Sequence, residues 1–254
     1  MIAIYRNVCL FRLCNRYFDD EEVLLDRKSV VTGFSHSGVP DEELHPVQTI
    51  HIQLTKNEEI LFAEIDKENR RQIRKAEKRQ LQFVVIEHPT DQELKKFKRF
   101  YNRHAQVKGT YRCGAYHIQT MRKLAEQQRL VVTYVTDSMG EMLYCYRLYV
   151  TDGKTAMTLY SASEVDLKDM PEMKRIVSEA NRYLIWKNIV RFKEKGVEIL
   201  DMGGLTDKPS IQRFKQGFGG NAAMVYSGYK TNSLFGRIIL SVRKRLLNKG
   251  RKRE

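Results

Sequence analysis

Cysteine is scarce: Cys9, Cys14, Cys113 and Cys145 are the only four in 254 residues. None forms a CxxC pair, and no Cys/His cluster has zinc-ligand spacing, so neither a disulfide framework nor a structural metal is implied. At this length the chain buries a sizeable core without such staples, and a reducing cytosol fits best. Long apolar runs are missing too. No stretch approaches the roughly 18 apolar residues of a membrane span, and Met1 to Cys14 interrupts its apolar residues with Arg6 and Arg12, unlike a secretory leader. Export and membrane crossing are therefore not expected. Also absent are a Ser/His/Asp set and a paired carboxylate, which disfavours a covalent hydrolase and suits direct attack of one substrate on another. The six histidines are scattered, and His104 and His117 read as surface or cap residues beside a loop between helices.

What is abundant is positive charge, and it is uneven. The net charge is +14, yet residues 67–79, 95–108 and 230–254 together carry 22 Lys/Arg and three Glu, leaving the rest of the chain acidic. Local positive potential attracts phosphates on nucleic acid, anionic lipid or nucleotide-linked substrates, and does not by itself separate them; a solvated helix face is the plainer reading.

From Gln80 onward hydrophobic periodicity alternates cleanly. Strands are expected at 81–88, 130–136, 142–150, 155–162, 197–200 and 222–229, from short β-branched or alternating runs. Helices are expected from Thr90, where Thr90 and Glu93 have capping-box spacing, over about 116–127, from Pro171 to about Gly196, and over Pro209–Gln216. The breaks at Asp137–Gly140 and Asp152-Gly153 are tight-turn chemistry, so the three middle strands should form an antiparallel meander. Of the thirteen tyrosines, Tyr144 and Tyr146 should share one face of that meander and Tyr149 the other, so at least one set is core. The order β-α-α-β-β-β-α-β-α-β makes the fold class α/β, a mixed, mainly antiparallel sheet flanked by helices. Residues 1–50 read as a short strand and loop extension, 51–232 as the main domain, and 233–254 as a basic amphipathic helix and tail.

The densest signal is LDMGGLTDKPSIQRFKQGFGG, residues 200–220. Its glycines let backbone approach a ligand closely or adopt positive φ. The loop after a strand of an α/β sheet is where ligands usually enter, and Asp201 sits at that strand's end, where a carboxylate can take a proton, orient an amine or simply brace the turn. Asp207 reads as a start signal for the helix at Pro209. In KENRRQIRKAEKR, Arg70 and Arg74 lie one helical turn apart and can straddle a diphosphate or a tRNA backbone, with Ile65, Ile73 and Ala76 toward the core. In the tail, Phe235, Ile238, Ile239, Val242 and Leu246 line one face among Arg237, Arg243, Lys244 and Arg245, a pattern for an anionic bilayer surface or for packing on the domain.

This element order, with ANRYLIWKNIVRFKEKGVEILDMGG followed by IQRFKQGFGG and the helix RRQIRKAEKRQLQFVV, resembles the Fem-type branch of the GNAT superfamily of N-acetyltransferases: the peptidoglycan-bridge aminoacyltransferases and their relatives in cell-envelope polysaccharide clusters. The resemblance spans about residues 50–230. It implies a sheet that splits beside the acyl donor, an acyl-CoA or aminoacyl-tRNA donor, and an acceptor amine or hydroxyl on an envelope precursor. It also implies that Lys215 stabilises the developing oxyanion and Phe214 shapes the pocket. Asp201 would orient or deprotonate the nucleophile. Arg70, Arg74 and Arg213 would hold phosphates, and Gly203, Gly204, Gly219 and Tyr160 would complete the substrate site. No metal is implied. Bridge-forming members usually carry two such domains, whereas the first 50 residues here are too short for a second. Coenzyme A users carry Arg/Gln-x-x-Gly-x-Gly/Ala, and Arg213 to Gly219 is one residue longer. The location expected is the cytoplasm, peripheral to the inner face of the membrane where residues 234–254 make contact. A non-catalytic protein on the same fold is the alternative from another class, either a nucleic-acid binder, with tyrosines beside basic helices, or an inactive membrane-associated scaffold.

Overall fold

The computed structural model describes residues 1–8, 11–165, 167 and 169–251; Cys9 and the side chain of Leu246 lie outside the described residues. The chain forms two units, one of Thr49–Ala223 and one that joins Met1–Gln48 to the segment from Met224 onward.

The larger unit holds a mixed sheet flanked by helices. Its antiparallel part is β5 (Gln82–Ile86), β6 (Leu130–Thr136), β7 (Leu143–Thr151) and β8 (Thr155–Ser163), paired in that order. The meander forms because its turns are chemically specified. Asp137 Oδ1 accepts from the backbone of Glu141 and Met142, and Asp152 Oδ1 from Lys154 and Thr155. A crossover helix, α5 (Pro171–Glu194), then brings β9 (Ile199–Asp201) parallel to β8, as parallel neighbours require. On the far side of β9 lies the end of β4 (Leu44–Gln53), antiparallel to it. Between β5 and β6 run α3 (Asp91–Lys108) and α4 (Ala115–Glu126). The capping box at Thr90 is formed: Glu93 Oε2 accepts from the Thr90 N–H at 2.6 Å, and the Thr90 hydroxyl accepts in return.

Helix α5 supplies much of the core. Val177, Ala180, Leu184, Ile185, Ile189 and Phe192 are buried along it, and Phe192 meets the Tyr149 ring edge-on at 5.0 Å. On the other face of β7, Tyr146 packs against Phe97 and Phe100 of α3. Both tyrosine sets are therefore core. Two helices precede the meander: α1 (Glu58–Glu64), and α2 (Lys67–Lys78), which buries Ile73 and Ala76 as its periodicity implied, with Ile65 in the link between them. Arg79, just past α2, reaches α5 and donates to Glu179 Oε2 and Glu172 Oε1, both at 2.7 Å. Glu179 is only 1% exposed, so this ion pair holds a carboxylate that would otherwise be stranded.

In the smaller unit β1 (Ile2–Val8) forms an antiparallel hairpin with β2 (Phe11–Tyr17). Strand β2 runs parallel to β3 (Val31–Ser37), and β3 pairs antiparallel with the latter part of β10 (Asn221–Lys230). Helix α7 (Leu234–Arg251) closes the described chain, with Phe235 against Phe11 at 5.7 Å and the Arg243 guanidinium 4.2 Å above the Tyr229 ring. Among the described residues no helix is long and apolar enough to cross a membrane.

Because Glu179 is buried and Arg79 is half-exposed, Arg79→Ala should lower unfolding stability by about 1–3 kcal/mol, and Glu179→Gln, which leaves Arg79 an acceptor, by less. Urea midpoints at unchanged m-value check this; equal losses would show that the pair itself contributes nothing.

Candidate functional site

Strand β9 pairs with β8 only from Thr155 to Met157, while β8 runs on to Ser163. Beyond Met157 the two chains separate, and the gap opens into a cleft of about 520 Å³. The size suits a small ligand or the reactive end of a larger one. One rim is β8 from Thr158 to Ser161 with Ser163, and the other is the Met202-Gly203-Gly204 loop with Ile211, Phe214 and Lys215 of α6 (Pro209–Gln216). Arg147 of β7, His104 of α3, and Ser178, Asn181 and Arg182 of α5 complete the wall.

Strand β8 carries a bulge here. Leu148 pairs with Tyr160 but Tyr149 pairs with Thr158, so Leu159 is an extra residue. The bulge breaks the period-2 alternation, placing Thr158 on the face of Tyr149 and Tyr160 on the opposite face, where it packs edge-on to Tyr101. Tyr160 and His104 thus border the cleft from the α3 side of the sheet, and Thr158 and Arg147 from the α5 side.

The loop after β9 is built around Asp201, which is 1% exposed. Its Oδ1 accepts from the Thr49 hydroxyl and, at 2.7 Å, from the Gly203 N–H; its Oδ2 lies 3.3 Å from His51 Nε2. These bonds turn the chain at Gly203, whose φ is +77°, and a Cβ there would come within 3.0 Å of the Thr158 carbonyl, so only glycine fits. The turn presents the Gly203 and Gly204 carbonyls to the ammonium of Lys215, which donates to them at 2.7 and 2.8 Å. Burial, then repulsion from Arg147, pull the Lys215 pKa down to about 8, while Asp201 pushes it up. An ammonium has three donors, so two held by carbonyls leave one for a ligand.

Helix α6 is anchored from below. Asn69 of α2 is 3% exposed; its Nδ2 donates to the Gly217 carbonyl at 3.0 Å, and its Oδ1 accepts from Arg182 Nε at 2.6 Å. Gly217 closes this joint, since a Cβ there would lie 2.2 Å from Asp66 Oδ2. Arg182 also donates to the carbonyl and hydroxyl of Ser178 and lies over the Phe214 ring at 5.2 Å. Phe214 in turn meets Phe218 edge-on.

The structure brings Lys215, Phe214, Gly203, Gly204 and Tyr160 together on the cleft, with Asp201 buried behind its wall. It places the other expected residues elsewhere. Arg70 donates to the Ala63 carbonyl at 2.6 Å, Arg74 lies over the Phe62 ring at 5.5 Å, and Gly219 packs on Glu64, so all three turn to α1. Arg213 is exposed on α6. His117 caps its own helix, its Nδ1 accepting from the Gly114 N–H at 3.0 Å. His104 is neither surface nor cap. Helix α3 runs on to Lys108, which turns His104 inward to meet the Ser163 backbone: Nδ1 is 2.9 Å from the carbonyl and 3.1 Å from the N–H. Burial lowers its pKa. Sequence reasoning also missed Arg147 and Arg182. The signal for Arg147 was there, a lone cation inside the apolar strand MLYCYRLYV. Among the described residues no group of three or more His, Cys, Asp or Glu could hold a metal ion.

No protein-family model matches the chain, and no curated protein does. Solved structures match over most of its length. FemX is 12% identical with a TM-score of 0.61, covering 89% of this chain and 82% of its own. L-PGS from Bacillus licheniformis is 13% identical with a TM-score of 0.53, over 86% of this chain and 73% of its own. The C-terminal domain of a putative lysylphosphatidylglycerol synthetase from Agrobacterium fabrum is 10% identical with a TM-score of 0.52, over 94% and 83%. Identities this low speak to architecture, and in architecture the chain stands with FemX and these two proteins, as the Fem-type resemblance of its sequence implied.

Proposed function

We propose that the chain is an acyl- or aminoacyltransferase that moves an acyl group from an activated donor, acyl-CoA or aminoacyl-tRNA, to an amine, or a hydroxyl, of a cell-envelope or polysaccharide precursor. The observation that carries this reading is the Lys215 ammonium, held by two carbonyls on the wall of a cleft where β8 and β9 part. The fold shared with FemX and with the lysylphosphatidylglycerol synthetase domain supports it. A cleft of about 520 Å³ takes the reacting end of either donor, and the rest of the donor lies outside it. Arg213, exposed on α6, is then available to a phosphate beyond the rim.

In the proposed step the acceptor nitrogen attacks the donor carbonyl carbon. A C–N bond forms, the π pair moves to oxygen, and the oxyanion meets the third N–H of Lys215. Collapse breaks the ester or thioester bond, and the leaving oxygen or sulfur departs with the pair. In the tautomer whose Nδ1–H donates to the Ser163 carbonyl, in place of accepting from the Ser163 N–H, His104 Nε2 keeps its lone pair and takes the nitrogen's proton. Asp201 is a positioning residue here, fixing the turn whose carbonyls hold Lys215. Peripheral membrane contact belongs to the same reading. On α7, Leu234, Phe235, Ile238 and Val242 are exposed beside Arg237, Arg243, Lys244 and Arg245, a basic amphipathic surface for an anionic bilayer.

Lys215→Ala should remove turnover by on the order of 10² or more while circular dichroism stays unchanged, as expected for loss of one oxyanion donor. A folded variant that keeps its rate sinks the assignment. The pH profile of kcat/KM, which reports the free enzyme, should be bell-shaped. Its acid limb lies below the ordinary histidine value, since His104 must be neutral, and its alkaline limb lies near 8, since Lys215 must be charged. His104→Gln should flatten the acid limb and leave the alkaline one, and an acid limb that persists in that variant removes His104 as the base. Finally, the complete chain should co-sediment with phosphatidylglycerol vesicles and the form lacking residues 234–254 should not; equal binding by both ends the membrane proposal.

A further inference from the structure

The cleft wall carries three cations, Arg147, Arg182 and Lys215, and no carboxylate. Two of the three are accounted for. Lys215 is held by the Gly203 and Gly204 carbonyls, and Arg182 by Asn69, Ser178 and the Phe214 ring. Arg147 is different. It is 5% exposed, its Nε is buried with no hydrogen-bond partner, and no carboxylate lies within ion-pairing distance of it among the described residues. Its cross-strand neighbours are Thr133 on β6 and Ser161 on β8, neither of them acidic. Asp201, the carboxylate near enough to act on Lys215, is occupied by Thr49, His51 and the Gly203 N–H.

The groups around Arg147 are short of partners as well. The Tyr149 hydroxyl faces Arg147 and Thr158. Yet neither that hydroxyl nor the Thr158 hydroxyl reaches hydrogen-bonding geometry with any described residue. These three buried polar atoms on adjoining residues of β7 and β8 thus face one another without closing hydrogen bonds, and of the three residues Arg147 and Thr158 line the cleft. A buried guanidinium without a counter-charge, beside unsatisfied hydroxyls, is costly unless something else completes it. An oxyanion does so, because guanidinium and hydroxyl donors converge on oxygen and the fork of arginine matches carboxylate and phosphate geometry.

We infer that Arg147 forms an anion subsite within the cleft, which takes a carboxylate or phosphate group of the substrate. The inference rests on the transferase reading and narrows it to a substrate with an anionic group close to the reacting carbonyl. A cationic side chain at that position would face three positive charges, so a lysyl-like group is disfavoured there. The guanidinium binds the anion and takes no part in bond making.

The test uses the complete chain with inorganic phosphate and with succinate as separate probes, followed by calorimetry. Saturable binding of one of them, at least tenfold weaker in Arg147→Gln and partly restored in Arg147→Lys, is the expected result; whichever probe binds more tightly identifies phosphate or carboxylate as the source. Lys154→Gln, exposed in the turn between β7 and β8, should bind as the parent does. Failure of both anions to bind saturably, or equal binding by Arg147→Gln, overturns the subsite. Should Arg147→Gln not fold, crystals of the parent soaked in tungstate decide: anomalous density beside Arg147 supports the subsite, and density confined to α2 or α7 rejects it. Binding is read without turnover, so the two readings fail separately. Loss of transfer in Lys215→Ala with unaltered anion binding by Arg147→Gln removes only the subsite, whereas anion binding at Arg147 in a chain that transfers nothing leaves the subsite standing and removes the transferase.

Discussion

The bridge from the Lys215 ammonium to the carbonyls of Gly203 and Gly204 is the constraint on which the site depends. It ties a short helix, α6, to the loop after β9 and so holds together the rim of the cleft that faces β8. Behind it stands a relay of hydrogen bonds. Thr49 and His51 on β4 flank Asp201, Asp201 accepts from the Gly203 N–H, and the turn so fixed aims two carbonyls at the ammonium. Each link is buried or partly buried, where a hydrogen bond to a charged group is worth more than at a surface. A charge in that position is costly, and the lowered pKa of Lys215 records the cost. The carbonyls offset part of it, which is why the lysine stays positioned without an ion-pair partner.

Much of the element order was legible because its punctuation is chemical. The strand 130–136 and the helix 209–216 fall at the expected residues, since Asp-Gly turns, Pro at a helix start and Gly at a helix end act locally. Strand β9 departs from expectation: it was read at 197–200 and is observed at Ile199–Asp201. Its extent is decided by how far β8 accompanies it, a tertiary fact with no local signature. The same holds for the parallel pairing of β2 with β3 and for the pairing of β3 with β10, the latter joining residues from opposite ends of the chain.

For the site, the glycine-rich stretch pointed to Lys215, Phe214, Gly203 and Gly204, and the structure gathers them. The arginines chosen for their helical spacing, Arg70 and Arg74, lie instead against α1, because spacing shows that two side chains share a face but not what that face meets. Arg147 was passed over for the converse reason. Its strand reads as core, and a strand buried on both faces gives no period-2 pattern to mark which residue looks into a cavity. The Leu159 bulge deepens the difficulty by reversing the facing of Thr158 relative to Tyr160.

Charge in this protein therefore works on two scales. The runs that dominate the sequence, on α2, α3 and α7, are largely solvent-facing and set a long-range positive potential that gathers anions and weakens with salt. The cleft holds far fewer charges, but they are desolvated and close together, with no carboxylate among the lining residues, so their field is short-ranged and little screened. A phosphate-bearing substrate would feel the first on approach and the second on arrival. The two cations that act on one another across the cleft, Arg147 and Lys215, also link binding to chemistry. An anion that neutralises the field of Arg147 removes the repulsion that helps to lower the Lys215 pKa, so the lysine holds its proton more firmly when the cleft is filled than when it is empty. An oxyanion-stabilising ammonium would thus be secured by the arrival of the substrate that needs it.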